Sequence, residues 1–324
     1  MFGTSGKKNC PIGVDLGSGY LRIVQLGRNG QGLFLQSAAL CANPEGTEFR
    51  SAAWQHWAAE TTRNLVREND FRGKSVVTAI PSDDLFIDPV KVPRSALKQI
   101  NEVLPQKLQK RLPFPIENAL FQHVVIDSGE QNQSDIADVL AISANREDVN
   151  RHLAIFEKAG LEVAGISIWP TAMISSFMSF FCRRKNEANT VAILINVGTN
   201  HTNIVIARGA NLLFARVVSI GYAQLEAGQM VQRLFSEIDA CLQYFGDSTA
   251  AAPIGRIVFL AGAGASRTLC DKLAGLAQKM QVAAQIGDVL SAIEINHSPN
   301  CLIDRRNCKV DWATAFGLSL DGFN

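Results

Sequence analysis

Two stretches of the chain carry the same pattern of apolar and polar positions. Val14-Asp15-Leu16-Gly17-Ser18-Gly19-Tyr20-Leu21-Arg22-Ile23-Val24-Gln25-Leu26 aligns without a gap on Ile195-Asn196-Val197-Gly198-Thr199-Asn200-His201-Thr202-Asn203-Ile204-Val205-Ile206-Ala207, so that Asp15 meets Asn196, 181 positions on. Each copy opens as an apolar strand, turns through glycine and small polar residues, and resumes with period-two alternation, which predicts a β-hairpin. A further strand follows each (33–40; 212–218), then an amphipathic helix. A repeated strand-strand-helix order predicts a duplicated α/β fold, with mixed sheets carrying helices on their faces.

Between the copies, helical spacing of Trp54, Trp57, Ala58, Thr61, Leu65 and Val66 predicts a helix over 50–68. A strand at 75–80 stops at Pro81, which cannot donate to a ladder. The rhythm then changes to strand 85–92, helix 95–111, strand 120–126 and strand 137–143. Pro113-Phe114-Pro115 breaks that helix and the polar run 129–134 forms a hairpin loop. This β-α-β-β stretch, 82–145, reads as an inserted subdomain. Asn145 caps a helix ending at Gly160, a strand at 162–168 rejoins the main sheet, and Pro170 starts an apolar helix. Phe177, Phe180 and Phe181 form its core seam, and the cations of Arg183-Arg184-Lys185 answer the dipole at its end. The second half predicts one long helix over 222–245, a linker at 249–255, a strand at 256–260 running into Ala261-Gly262-Ala263-Gly264-Ala265, and a helix opened by Ser266. The boundaries that follow are a mobile tail (1–10), a first lobe (11–81 with 146–188), the insertion (82–145), a second lobe (189–309) and a C-terminal segment (310–324) closing onto the first lobe.

Composition narrows the function classes. Over 324 residues, 31 Lys and Arg face 30 Asp and Glu, a net charge of +1 that lacks the basic excess of a nucleic-acid binder. With 47% hydrophobic and 19% charged residues, two lobes can each bury a core. Mean hydropathy is +0.07, yet every apolar run is interrupted before the ~18–20 residues that span a bilayer. The N-terminus has lysines without an apolar core behind them, which argues against a signal peptide. The seven cysteines stand singly, with no CxxC pair, which suits reduced thiols in a cytosol. Cys241 and Cys270 read as small apolar fillers of helices rather than nucleophiles.

The candidate chemistry lies in three turns. In Asp15-Leu16-Gly17-Ser18-Gly19 the glycines let consecutive N–H groups converge on a phosphate, and Asp15 could hold Mg²⁺ through its waters. Such a sequence is also simply a good turn. The second copy, with Gly198, Thr199 and Asn200, could clamp phosphates from the other side. The third turn, Gly262, Ala263 and Gly264, leads into a helix N-terminus and so offers free N–H groups and a dipole.

With these three turns and Ala315-Phe316-Gly317-Leu318, the chain resembles the actin-like ATPase superfamily, and within it the PilM family of type IV pilus assembly proteins. The family's opening strand-turn-strand matches residues 14–26, and its other motifs match Thr78-Ala79-Ile80-Pro81, Leu112-Pro113-Phe114-Pro115, Glu157-Lys158-Ala159-Gly160-Leu161 and Arg216-Val217-Val218-Ser219-Ile220-Gly221. The resemblance runs from about Ile12 to Leu320 and extends to the architecture of the cell-division protein FtsA. It implies a cytoplasmic protein of two lobes around a nucleotide cleft, acting at the inner face of the inner membrane without a transmembrane segment. The implied partner is the N-terminal tail of a PilN-like membrane protein, held in a groove near the inserted subdomain, where Phe114 is the residue expected to lie. The implied cofactor is ATP with Mg²⁺, bound by the three turns together with Arg22 and the helix residue Glu237.

The chain departs from the family at several of these positions. Asn196 replaces an Asp and can neither lend charge to Mg²⁺ nor take a proton from water, a loss that costs hydrolysis more than binding. Arg22 replaces a Lys, Gln25 a Glu, and Ala263 a Gly. Asp239-Ala240 replaces a basic pair, and His201 enters the second hairpin, where a solvated turn residue is expected. The expected function is an adaptor with ATP hydrolysis weak or lost. The alternatives are an FtsA-like or filament-forming actin homologue, and an active ATPase or kinase, for which Asp15 and Asp311 are the acidic candidates. The short acidic end Leu320-Asp321-Gly322-Phe323-Asn324 is unlike the amphipathic anchor of a membrane tether.

Overall fold

A computed structural model describes residues 8–126, 135–182, 189–226, 230–248, 251–261, 267–295 and 310–321. The turn Gly262-Ala263-Gly264, the loop at 129–134, the run at 183–185 and residues 1–7 lie outside them. In chain order, the first lobe begins with β1 (Lys8–Leu16), β2 (Tyr20–Asn29), β3 (Gly32–Ala42), α1 (Ala52–Glu68) and β4 (Ser75–Ile80). The insertion follows as β5 (Leu85–Pro93), α2 (Ile100–Leu108), β6 (Ala119–Ile126) and β7 (Ile136–Asn145). α3 (Arg146–Ala159), β8 (Glu162–Ile168) and α4 (Trp169–Phe181) complete the lobe. The second lobe holds β9 (Val191–Val197), β10 (Thr202–Arg208), β11 (Asn211–Val218), α5 (Tyr222–Glu226), α6 (Val231–Gly246), β12 (Ile254–Leu260), α7 (Arg267–Met280) and β13 (Ala283–Gly287). α8 (Val289–Ala292), β14 (Glu294–Ile295) and α9 (Ala313–Asp321) bring the chain back.

The duplication read from the sequence is present in the sheets. The first has the order β14-β3-β2-β1-β4-β8 and the second β11-β10-β9-β12-β13, each an antiparallel meander flanked by parallel strands. The hairpin registers coincide as well, since Asp15 pairs with Arg22 as Asn196 pairs with Asn203. The insertion forms a separate three-stranded sheet, β5-β7-β6, with its own core of Val90, Val92, Leu104, Leu108 and Val139.

Three expectations differ. β1 begins at Lys8, inside the expected tail. The single helix expected over 222–245 is two, because Met230 takes a left-handed φ of 65° that no α-helix continues through. β14 pairs with β3, so the chain touches the first sheet again before residue 310.

α9 is apolar all round and buried from Ala313 to Leu320, packed on β1, β2 and α4. Its Ser319 Oγ accepts the Leu26 N–H at 3.0 Å and donates to the Pro11 carbonyl at 2.8 Å, where both strands carry bulges. Gln25 is likewise buried and satisfied. Its Nε2 donates to the carbonyls of Cys10 and Arg72, and its Oε1 accepts the Arg72 N–H. A Glu there could not donate to two carbonyls.

His152 on α3 is buried under β4. Thr78 Oγ1 donates to the Val14 carbonyl at 3.0 Å, so its 2.9 Å contact with His152 must be donated by Nε2–H. Burial lowers the His152 pKa from 6.5 to about 4. The native state therefore binds fewer protons there than the unfolded chain, and its contribution is full above pH 6.5 and lost as pH falls toward 4. That window is worth about 3 kcal/mol. His152→Gln, which keeps a neutral donor, is expected to remove this share of the acid loss, visible as a flatter difference in unfolding free energy between pH 7 and pH 5.

Candidate functional site

The β1–β2 turn is held from behind by Asn43, at the end of β3. Its Nδ2 donates to the carbonyls of Gly17 (3.1 Å) and Ser18 (2.8 Å), and its N–H donates to the carbonyl of Gly19 (2.9 Å). In a trans peptide the N–H points opposite the C=O, so the N–H groups of Ser18 and Gly19 point away from Asn43. Residue Asn43 was missed by sequence reasoning, although an Asn-Pro step at a strand end is a turn signal.

The second hairpin closes directly on the first. A Cβ at Gly19 would overlap the Thr199 side chain, and one at Gly221 would overlap the Thr199 backbone. Gly19 is thus the residue that lets the two turns meet. Behind the contact is a cavity of about 50 Å³, lined by Asp15, Gly17, Ser18, Gly19 and Arg22 from the first hairpin and by Asn196, Gly198, Thr199, His201 and Asn203 from the second. Phe49, Pro81, Asp83, Trp169 and Thr314 are also among its lining residues. Ligand pockets usually measure about 300–1,000 Å³, so the cleft is shut in this arrangement.

The cavity concentrates charge and unsatisfied polar atoms. Arg22 Nη1 donates to Asp15 Oδ2 at 2.7 Å, so the guanidinium expected to meet phosphate is paired with the carboxylate expected to meet Mg²⁺. Arg22 Nε, Trp169 Nε1, His201 Nδ1 and Asn203 Oδ1 are buried without a hydrogen-bond partner among the described residues. The expected solvated histidine is instead enclosed. His201 has a side-chain exposure of 14%, and its Nδ1 lies 3.7 Å from Asp83 Oδ1 across the lobes. Burial lowers its pKa, against the pull of Asp83 and Asp15, so the ring is held toward its neutral form. Arg50, in a left-handed backbone at φ 70°, pairs with Asp84 at 2.8 Å and Asp83 at 3.5 Å. Burial still raises the Asp84 pKa to about 6.

Other expected site residues are not brought to this cavity. Asn200 is exposed beyond its lining. Glu237 lies on α6, where it accepts from Arg216 Nη2 at 2.9 Å, also outside the lining. Gly262, Ala263 and Gly264 fall outside the described residues. Among those described, no group of three or more His, Cys, Asp or Glu could hold a metal ion. Asp15 with waters remains the arrangement suited to Mg²⁺, which needs only one or two carboxylates.

A second concavity, of about 410 Å³, separates the insertion from the second lobe. It is lined by five consecutive residues of β5, Leu85 to Pro89, and four of β11, Phe214 to Val217, with Arg111 and Tyr244. Side chains alternate between strand faces, so a groove that touches consecutive residues runs along strand edges. Among the described residues, both strands are edge strands with one sheet neighbour each. Phe86, Phe214 and Tyr244 supply the aromatic surface, and Tyr244 is 46% exposed. Asp88 pairs with Arg111 at the groove, with its pKa raised by burial against the pull of that guanidinium. Phe114 is half-buried and not part of this lining.

The family described as "Type IV pilus assembly protein PilM" matches residues 13–235, more than half of the chain and both hairpins. The chain belongs to the PilM family. Among solved structures, a chain of a "PilM-PilN type IV pilus biogenesis complex" superimposes with a TM-score of 0.73 at 20% identity, covering 97% of this chain and 98% of that one. The PilM-family chain thus has the actin-like ATPase fold. EutJ, an ethanolamine utilization protein from Carboxydothermus hydrogenoformans, overlaps more loosely (TM-score 0.49, 12% identity, 98% and 90% of the two chains). So does a Bacteroides thetaiotaomicron protein of actin-like ATPase fold (0.48, 10%, 88% and 92%). No curated protein matches this PilM-family chain. Among its described residues, no helix is long and apolar enough to cross a membrane.

Proposed function

We propose that this pilus assembly protein is a cytoplasmic adaptor at the inner-membrane platform, which captures the N-terminal tail of a PilN-like membrane protein in the groove between the insertion and the second lobe. The observation that carries the reading is the pair of open strand edges, β5 and β11, on either side of that groove. An extended tail added to such an edge gains main-chain hydrogen bonds, while alternate side chains enter apolar pockets such as that of Phe86, Phe214 and Tyr244. Neither contribution needs a charged surface, in keeping with the net charge of +1. The solved relative of matching fold is itself a PilM with PilN.

The hairpin cleft is proposed to take ATP with Mg²⁺. The Ser18 and Gly19 N–H groups, Arg22 and the unpartnered Trp169 Nε1 fit phosphate oxygens, and Asp15 would hold the metal's waters once Arg22 turns to the phosphates. Mg²⁺ when bound neutralises charge on the phosphates. With about 50 Å³ between the turns, the Gly19–Thr199 contact must part to admit a nucleotide. Asn196 at the cavity floor argues for slow or absent hydrolysis and against a kinase.

The test is isothermal titration of the full chain with a synthetic N-terminal peptide of the PilN-like protein. Wild type is expected to bind, and Phe86→Asp to weaken binding by about tenfold or more, since a charge in an apolar pocket costs at least 1.4 kcal/mol. Undiminished binding by a folded Phe86→Asp chain would contradict the groove assignment.

A further inference from the structure

The cavity floor holds an amide whose two ends are not equivalent. Asn196 Nδ2 donates to Asp311 Oδ2 at 2.6 Å and to the Leu260 carbonyl at 3.3 Å, which uses both amide hydrogens. Turned over, the amide would set Oδ1 against the Leu260 carbonyl, an acceptor whatever the protonation of Asp311. Oδ1 is therefore the end left for the cavity, which Asn196 lines.

Asp311 itself stands behind Asn196. It is 9% exposed, outside the cavity lining, and its Oδ1 accepts the Ala313 N–H at 3.1 Å, capping α9. α9 is anchored in the first lobe, where Asp321 accepts from Ser167 and Ser175. Asn196 belongs to the second lobe, so the Asp311 carboxylate bonds to both. Read in the sequence, Asn196 is a lost carboxylate. In the structure a carboxylate is still present, one hydrogen bond behind the cavity.

We propose that Asp311 is a positioning residue for the cavity: it orients the Asn196 amide so that Oδ1 meets the ligand, and the floor therefore accepts from a water or hydroxyl and excludes a directly seated phosphate oxygen. The inference rests on the nucleotide reading of this cleft. A water beside the phosphates would be held by a neutral oxygen that does not take its proton, which gives binding without activation of the water.

Two substitutions separate this role from simple capping. Asp311→Asn keeps an oxygen for the Ala313 N–H but sets an NH₂ against Asn196 Nδ2, donor to donor. Asp311→Ser keeps a good N-cap and is too short to reach Asn196. In ¹H–¹⁵N spectra of the full chain, the Asn196 side-chain amide should show one proton shifted strongly downfield by the carboxylate, and that shift should be absent from both variants. Titration with Mg-AMP-PNP should give binding weakened about tenfold in Asp311→Asn, the loss of one well-placed hydrogen bond. An unchanged Asn196 amide signal in either folded variant overturns the inference, as does equal Mg-AMP-PNP affinity in wild type and variants. If wild type binds no Mg-AMP-PNP, the nucleotide reading fails, and the amide signal alone decides whether Asp311 orients Asn196.

Discussion

Gly317→Ala is expected to destabilise the protein by about 3 kcal/mol or more, the upper range for forcing atoms into a packed core. Gly317 sits where α9 crosses α4, and an added Cβ would overlap the carbonyl oxygen, carbon and Cα of Ala172. These are backbone atoms of a buried helix and cannot rotate aside. Gly13, on the β1 side of α9, has the same relation to the backbone of Ala315 and Ser319, so α9 is closed in on two faces and cannot slide to relieve the clash. Ala is favoured over Gly within a helix by up to about 1 kcal/mol, which is too small to compensate. Gly275→Ala supplies the control. It lies exposed on α7 with nothing within 4 Å of its added Cβ, and should gain up to about 1 kcal/mol. Thermal unfolding should show Gly317→Ala melting roughly 6–12 °C below wild type and Gly275→Ala at or slightly above it. A Gly317→Ala chain that melts with wild type would mean that α9 is not held in this position.

Asn196→Asp, which restores the carboxylate usual in the family, is expected to destabilise rather than to create an ATPase. The new carboxyl would face Asp311, whose oxygen lies 2.6 Å from the present Nδ2, and also the Leu260 carbonyl. One shared proton can satisfy only one of these contacts. Asp311 already has its pKa raised to about 6 by burial, and a second carboxyl in contact pushes the pair's proton affinity higher. The native state then binds more protons than the unfolded chain, so stability is retained at low pH and lost as pH rises through the raised values. The expected cost is about 3–5 kcal/mol at pH 8, the range for a buried charge left uncompensated, and less at pH 5. Denaturant unfolding at the two pH values checks it. A variant as stable as wild type at pH 8 would show that Asp311 and residue 196 are not in contact.

The parts of this arrangement that were legible in the sequence are local. Period-two alternation around a glycine turn predicts a hairpin wherever it occurs, and its recurrence 181 residues on predicts the matching sheet. Contacts between distant segments left no such sign. Nothing near Asn196 points to Asp311, and nothing in 85–89 points to 214–217 as the opposite wall of a groove. The resemblance implied Arg22 as a phosphate ligand, but its ion pair with Asp15 depends on the register of β1 against β2. Glu237 entered only through the family resemblance, and the rotation of α6 turns it to Arg216. The break at Met230 was hidden because apolar spacing continues across 222–245 while Met230 itself takes a left-handed φ of 65°.

The central claim, that a partner tail adds a strand between the insertion and the second lobe, is tested most directly by amide hydrogen exchange of the full chain with and without the PilN-like N-terminal peptide. The N–H groups of β5 and β11 that point away from their sheet partners should exchange quickly in the free chain and become protected on binding, within 86–88 and 214–217, with the protection lost in Phe86→Asp. Binding that protects other segments and leaves both of these edges unchanged would contradict it.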